Sequence, residues 1–176
     1  GTASVKLEAS GEREELYYVY AKGKLYDVCT AINTAVKTAD ENLGVVVDGN
    51  LQNIWERGNK VTKLTLDTST FPDVIRNGSM DVAAIEEGTG RKALDLSGCT
   101  LDSVLYYVSE GTPVLVKTPI TDQTPQGIVI IAGYDEYNTI LMNPGETETF
   151  YYGINDSTAL FEEAGNVFMT YWDPIS

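Results

Sequence analysis

Two thiols, Cys29 and Cys99, are the side chains of highest nucleophilic potential in this chain, and the chain contains no histidine at all. Any mechanism that needs imidazole as base, proton shuttle or metal ligand is therefore closed to its own residues. A thiol at its ordinary pKa of about 8.5 is only a few per cent thiolate at neutral pH, so a working cysteine needs a cation or a base beside it. Lys22 and Lys24 are the only cations near Cys29 in sequence. Neither would readily pass a proton to a leaving amine. Cys29 sits among apolar neighbours at helical spacing, which favours a buried structural cysteine over a reactive thiol. Cys99, after Gly98 and before a helix cap, reads as packed, with partial exposure at a helix N-terminus as the other option. The two could pair in a secreted protein, but two residues make no disulfide framework.

Other chemistry is thinner. Asn143 before Pro144 is either a strand-end turn residue or the remnant of a site. The carboxylate pairs Asp135-Glu136 and Glu162-Glu163 are neighbours on a turn and a helix, which suits solvated surface better than glycoside hydrolysis. Calcium at Asp48-Gly49-Asn50 or at the Asp135 turn would lack the ligand count of an established loop. Gly88-Thr-Gly-Arg91 has no strand–turn–helix setting, so no phosphate loop is implied. No cofactor and no metal are expected. A net charge of -14 with only 12 basic residues argues against nucleic acid and anionic lipid as partners. The acidic residues are scattered, as on a solvated acidic surface. No apolar run approaches the roughly 20 residues of a membrane helix. Eleven tyrosines, some doubled at 17/18, 106/107 and 151/152, could line a binding face, but at strand spacing they better suit packing with one ring inward and one outward.

The elements that must hold these residues follow from periodicity. Residues 5–15 read as a loosely held lead-in, and Leu16 to Ala21 as a strand broken by Lys22-Gly23-Lys24. Leu25, Val28, Cys29, Ile32, Ala35, Val36 and Ala39 recur at three- and four-residue steps, which predicts a helix from Leu25 to about Gly44 with Cys29 on its apolar face. Two strand-like arms flank the tight turn Asp48-Gly49-Asn50, and Val61 to Leu66 alternates like a strand. Residues 67–79 carry turn chemistry, and Met80 to Glu87 fits a short helix or a strand equally. Thr100 caps a helix with the stripe Leu101, Val104, Leu105 and Val108, and Pro113 to Thr118 is the strand after it. A loop over 119–126 leads to a buried, β-branched run from Gly127, a turn at Gly133 to Asn138, and a return strand ending at Asn143-Pro144. A strand near Phe150 to Tyr152, a helix capped at Asp156 and a strand from Val167 to Trp172 close the chain. Helices first and an antiparallel sheet second predict the α+β class.

That order has a known counterpart. The helix with Cys29, the segment Leu101-Asp-Ser-Val-Leu-Tyr-Tyr-Val-Ser-Glu-Gly-Thr-Pro-Val114, the Gly133-Tyr-Asp hairpin ending at Asn143-Pro144, and the close with Phe161 and Trp172 together resemble the papain-fold cysteine peptidases of the bacteriocin-processing, double-glycine peptidase type. The resemblance spans roughly residues 25–172, loosely over 45–95. It implies a papain-like α+β fold, with residues 1–24 as lead-in and first strand and 25–176 as one domain. Within that domain it implies a helical part over about 25–111 and a sheet part over about 112–176. It places Cys29 at the nucleophile and Asn143 at the residue that orients the base. The position of the family's histidine falls at Gly127, beside Gln126. The upstream oxyanion glutamine is missing, with Gly23 about there, and the Gly-Pro after the nucleophile is Thr30-Ala31. Two of four roles are thus empty. The resemblance implies a catalytically inactive, hydrolase-like domain with a binding or structural role in a larger cell-surface or secreted bacterial protein. A peptide or protein segment is the partner it suggests, through strand addition along the old cleft. The alternative is a cysteine peptidase using Cys29 and Asn143 with a non-histidine or externally supplied base. A plain structural spacer is the third. The chain opens at Gly1-Thr2-Ala3-Ser4 without a leader, and it is expected to be a piece of a longer precursor.

Overall fold

The computed structural model describes residues 15–57 and 63–173. Most of the expected lead-in, and Val61 at the start of an expected strand, lie outside those residues. The chain divides into two compact units, Gly1–Glu56 and Arg57–Ser176. Every strand pair in both is antiparallel. With helices set among these strands the class is α+β. No described helix is long and apolar enough to cross a membrane.

The first unit contains β1 (Tyr17–Ala21), β2 (Lys24–Cys29), α1 (Ile32–Glu41), β3 (Val45–Val47) and β4 (Asn53–Glu56), in a sheet of order β2-β1-β3-β4. Here one expectation is corrected. The helix begins at Ile32, and residues 24–29 form a strand paired with β1. Cys29 therefore does not lie on a helix. The cause is the two-residue turn Lys22-Gly23, whose φ values of 57° and 76° reverse the chain so that Lys24 pairs with Ala21. Backbone bonding to β1 then takes the next residues before a helix can start. The residue-24 boundary falls inside this hairpin. From Ile32 the helical stripe holds: Ile32, Ala35, Val36 and Ala39 are buried, and α1 packs on β1, β2 and β3. Val19, Val46 and Trp55 fill the sheet's share of the core. The connection from β3 to β4 spans residues 48–52, with Val47 opposite Asn53, and its positive φ falls at Leu51 (64°) and not at Gly49, so the expected tight turn at Asp48-Gly49-Asn50 is corrected to a longer loop.

The second unit contains β5 (Lys63–Thr65), a single 3-10 turn (Thr68–Thr70), α2 (Asp73–Arg76), α3 (Val82–Thr89), β6 (Ala93–Asp95), α4 (Leu101–Ser109) and β7 (Val114–Lys117). The long hairpin β8 (Ile128–Asp135) and β9 (Asn138–Met142) comes next, followed by β10 (Thr149–Gly153), α5 (Ile154–Glu163) and β11 (Phe168–Tyr171). Its sheet runs β10-β9-β8-β7-β11-β6, with β5 paired to the far end of β8. Strands and helices interleave through residues 25–111, the stretch expected to be the helical part.

β8 is the central strand, and it is buried from Val129 to Tyr134. Alternate residues of a strand face opposite ways. Ile130 and Ala132 join Phe71, Ile75, Ile85, Leu115, Met142 and Met169 in one cluster. Val129 and Ile131, on the other face, are equally buried, and α4 packs on β7 and β8. Truncating such a residue to Ala costs about 2–5 kcal/mol. Thr100 caps α4 by accepting from the Ser103 N–H at 3.1 Å, as expected. Residues 80–87 resolve as helix α3, fixed by the Asp81 side chain accepting from the Ala84 N–H at 2.9 Å. α5 starts at Ile154, two residues before the expected Asp156 cap, which lies in the first turn where a carboxylate suits the helix dipole. α2 and β6 were not expected; both are too short to show a period. Among the doublets, Tyr17 is buried and Tyr18 half-buried, but Tyr106 and Tyr107 are both buried, because α4 is enclosed almost all round.

Candidate functional site

Cys29 belongs to the first unit, and Gln126, Gly127 and Asn143 belong to the second. Cys29 closes β2 opposite Tyr17 and is 6% exposed. Its Sγ stands 3.8 Å from the Asp27 carboxylate, to which it donates. Burial pushes the thiol pKa up, and the charge and hydrogen bond of Asp27 push it further the same way. That is the reverse of an activated nucleophile. Lys22 and Lys24 are exposed, and Lys22 Nζ lies 5.3 Å from the centre of the Tyr26 ring. Cys99 is 1% exposed, which settles it as packed, and neither cysteine is in a disulfide.

In the second unit the β8–β9 register, with Ile130 opposite Met142, sets the segment before β8 beside the segment after β9. Two side-chain amides join them. Gln126 Nε2 donates to the Pro144 carbonyl at 2.8 Å, and Asn143 Nδ2 donates to the Gln123 carbonyl at 2.9 Å. Gln126, Gly127 and Asn143 are thus brought into one small region. Asn143 is 6% exposed, and its Oδ1 accepts no hydrogen bond from the described residues. The 118–127 loop is braced from within: Thr121 and Thr124 exchange backbone bonds at 3.2 Å, and the buried Thr124 hydroxyl donates to the Pro119 carbonyl at 2.8 Å. The Gly145 N–H donates to the Arg76 carbonyl at 2.9 Å, tying the same turn to the end of α2.

Gly127 has a φ of +69°. A Cβ there would stand 3.3 Å from the Thr118 carbonyl, whose own N–H donates to Gly127 O at 2.8 Å. The position at which the resemblance looks for a histidine thus has a left-handed backbone that costs most L-residues about 1–2 kcal/mol. Neither Gln126 nor Asn143 can titrate, so this region can offer amide hydrogen bonds and no acid or base.

The remaining candidates serve the backbone. Asp135 Oδ1 accepts from the N–H groups of Tyr137 and Asn138 at 2.9 and 2.7 Å and closes the β8–β9 turn. Those bonds, led by that of Tyr137, hold its carboxyl below the usual range, with Lys63 opposite it across the β5–β8 pair adding a smaller pull. Asp48 Oδ1 likewise accepts from the Asn50 and Gln52 N–H groups. No group of three metal-ligating side chains occurs among the described residues.

Two participants escaped the sequence reading. Asp27 is the thiol's partner, and the two-residue strand period would have put it on the face of Cys29 had β2 been recognised. Gln123 contributes only a carbonyl, for which a sequence holds no signal.

Compared with protein families and with curated proteins, the chain has no match in either. A solved structure with detectable likeness is that of a protein from Bacillus anthracis described as C39-like peptidase, at 17% identity and a TM-score of 0.44. The shared region covers 54% of this chain and 58% of that one. Likeness over little more than half of either chain, at that level, carries no information about activity.

Proposed function

We propose that this chain is a peptidase-like domain of papain-like framework that does not catalyse and acts by binding, or as a structural part, in a larger cell-surface or secreted bacterial protein. One observation carries the reading: in a chain without histidine, Cys29, which the resemblance sets at the nucleophile, is buried, and burial together with the Asp27 carboxylate raises its thiol pKa. A peptidase of this chemistry needs the thiolate at neutral pH and then an acid for the leaving amine. Cys29 has a carboxylate beside it, which opposes the first. The left-handed backbone at Gly127, where a Cβ would stand 3.3 Å from the Thr118 carbonyl, supports the same reading, because it favours glycine over a residue with a side chain. The partner suggested by such a framework is a peptide or protein segment.

The test uses a peptide-like probe with a thiol-reactive group on the intact protein at neutral pH, with the adduct located by mass spectrometry. The expected result is slow labelling of Cys29 that accelerates when the protein is unfolded. Rapid labelling selective for Cys29 and abolished by unfolding would overturn the proposal and favour a cysteine peptidase with an externally supplied base.

A further inference from the structure

The sheet of the second unit ends on β10, and this edge differs from the other sheet edges among the described residues. β10 is the five-residue strand Thr149-Phe-Tyr-Tyr-Gly153, pairs with β9 along its whole length without slippage, and contains neither charge nor proline. Its far side pairs with no described strand. The opposite edge, β6, is only three residues long. In the first unit, edge strand β2 carries Lys24 and Asp27 and slips register against β1, and edge strand β4 carries Glu56. Shortness, charge and irregular pairing are the usual means by which an edge is kept from accepting another strand. β10 uses none of them, Thr149, Phe150, Tyr151 and Tyr152 are strong strand formers, and Tyr151 is 53% exposed.

Charge selects what the edge can accept. From Thr118 to its end the chain contains no Lys or Arg. Glu146 and Glu148 are exposed immediately before β10, Asp156, Glu162 and Glu163 are exposed on α5 after it, and Glu136 is exposed on the β8–β9 turn. The Tyr137 carbonyl of that turn accepts from the Ile154 N–H at 2.8 Å, which holds the turn beside the end of β10. A second copy added edge to edge would set like-charged segments side by side, so self-association is opposed. A cationic strand meets the complementary field, and the exposed rings of Tyr137 and Tyr151 offer faces for guanidinium or ammonium groups.

We propose that β10 is a docking edge that takes an extended Lys/Arg-rich segment of another protein as an added antiparallel or parallel strand. The site uses none of Cys29, Gln126, Gly127 or Asn143, and it stands whether or not Cys29 is catalytically inert.

The test titrates the whole chain with a fluorescent peptide alternating Lys or Arg with Thr and Val, and with its counterpart carrying Glu at each basic position. Amide hydrogen exchange is then followed with and without the basic peptide. Expected are binding of the basic peptide only, weakening at raised salt, and slower exchange at amides within Thr149 to Gly153 when it is bound. The double variant Glu146→Lys/Glu148→Lys changes exposed residues outside the strand and is expected to bind about tenfold more weakly. Absence of binding, equal binding of the acidic peptide, unchanged affinity of the double variant, or binding that leaves exchange in β10 unaltered would each overturn the proposal.

Discussion

Replacing Gly127 probes the backbone at the position where the resemblance looks for a base. At a φ of +69° a residue with a Cβ meets a penalty of about 1–2 kcal/mol. The new Cβ would also press on the Thr118 carbonyl at 3.3 Å and on Ile120 at 3.4 Å. Working against this, Gly→Ala restricts the unfolded chain and returns about 0.4–1 kcal/mol. The net expectation for Gly127→Ala is a loss of about 1 kcal/mol. Gly127→Asn is expected to lose less, because Asn tolerates the left-handed region best, and Gly127→His to fall between the two. Native-state hydrogen exchange at the amides of Val129 to Ile131 reads the second unit directly, and a loss of 1 kcal/mol would speed exchange about fivefold. Equal protection in the Gly and Ala proteins would refute a left-handed backbone at this site. The His variant carries a second readout. No peptide hydrolysis is expected from it, and hydrolysis that vanished on adding Cys29→Ser would refute the inference that a missing imidazole is not the only thing lacking.

Other consequences concern the side chains around these two regions. Asn143→Ala is expected to cost about 1 kcal/mol by urea unfolding, since the exposed Gln123 can rehydrate its carbonyl. Asn143→Asp faces that carbonyl with an acceptor, so its folded pKa is raised. Its deficit should therefore be small in acid and grow as pH rises above about 3.9. Asp135 behaves in the opposite sense: its folded pKa is lowered, so the stability it contributes is present above about 3.9 and is lost as pH falls through the folded value. Thermal scans across that window should show an acid-induced loss in the native protein that is smaller in Asp135→Asn. Asp27→Asn removes a charge that raises the Cys29 pKa, so the pH profile of thiol alkylation in the folded protein should move to lower pH.

Much of the second unit was legible because its signals are local and strong. The Ile/Val run of β8, the Thr100 cap and stripe of α4, and the glycines after α4 and α5 each announce an element within a few residues. β2 was not legible. Leu25 and Val28 stand at helical steps from Cys29 and Ile32, while five of the six β2 residues are exposed, so no buried alternation marked the strand. What made it a strand was the Lys22-Gly23 turn, whose consequence is pairing to a segment already passed. At the candidate site, the neighbourhood of Gln126 and Asn143 was implied by a hairpin return over 127–143. The bonds to Gln123 and Pro144 were not, because carbonyls carry no residue identity. The acid beside Cys29 follows from the two-residue period of a strand, whereas helical spacing separates residues 27 and 29.

The claim on which the functional reading turns is that Cys29 is held as a thiol. NMR of the protein with ¹³Cβ-labelled cysteine, titrated while folded, measures that state by residue. The account predicts that Cys29 remains protonated at neutral pH and titrates above the ordinary thiol value of about 8.5. A Cys29 already ionised at pH 7 would contradict it.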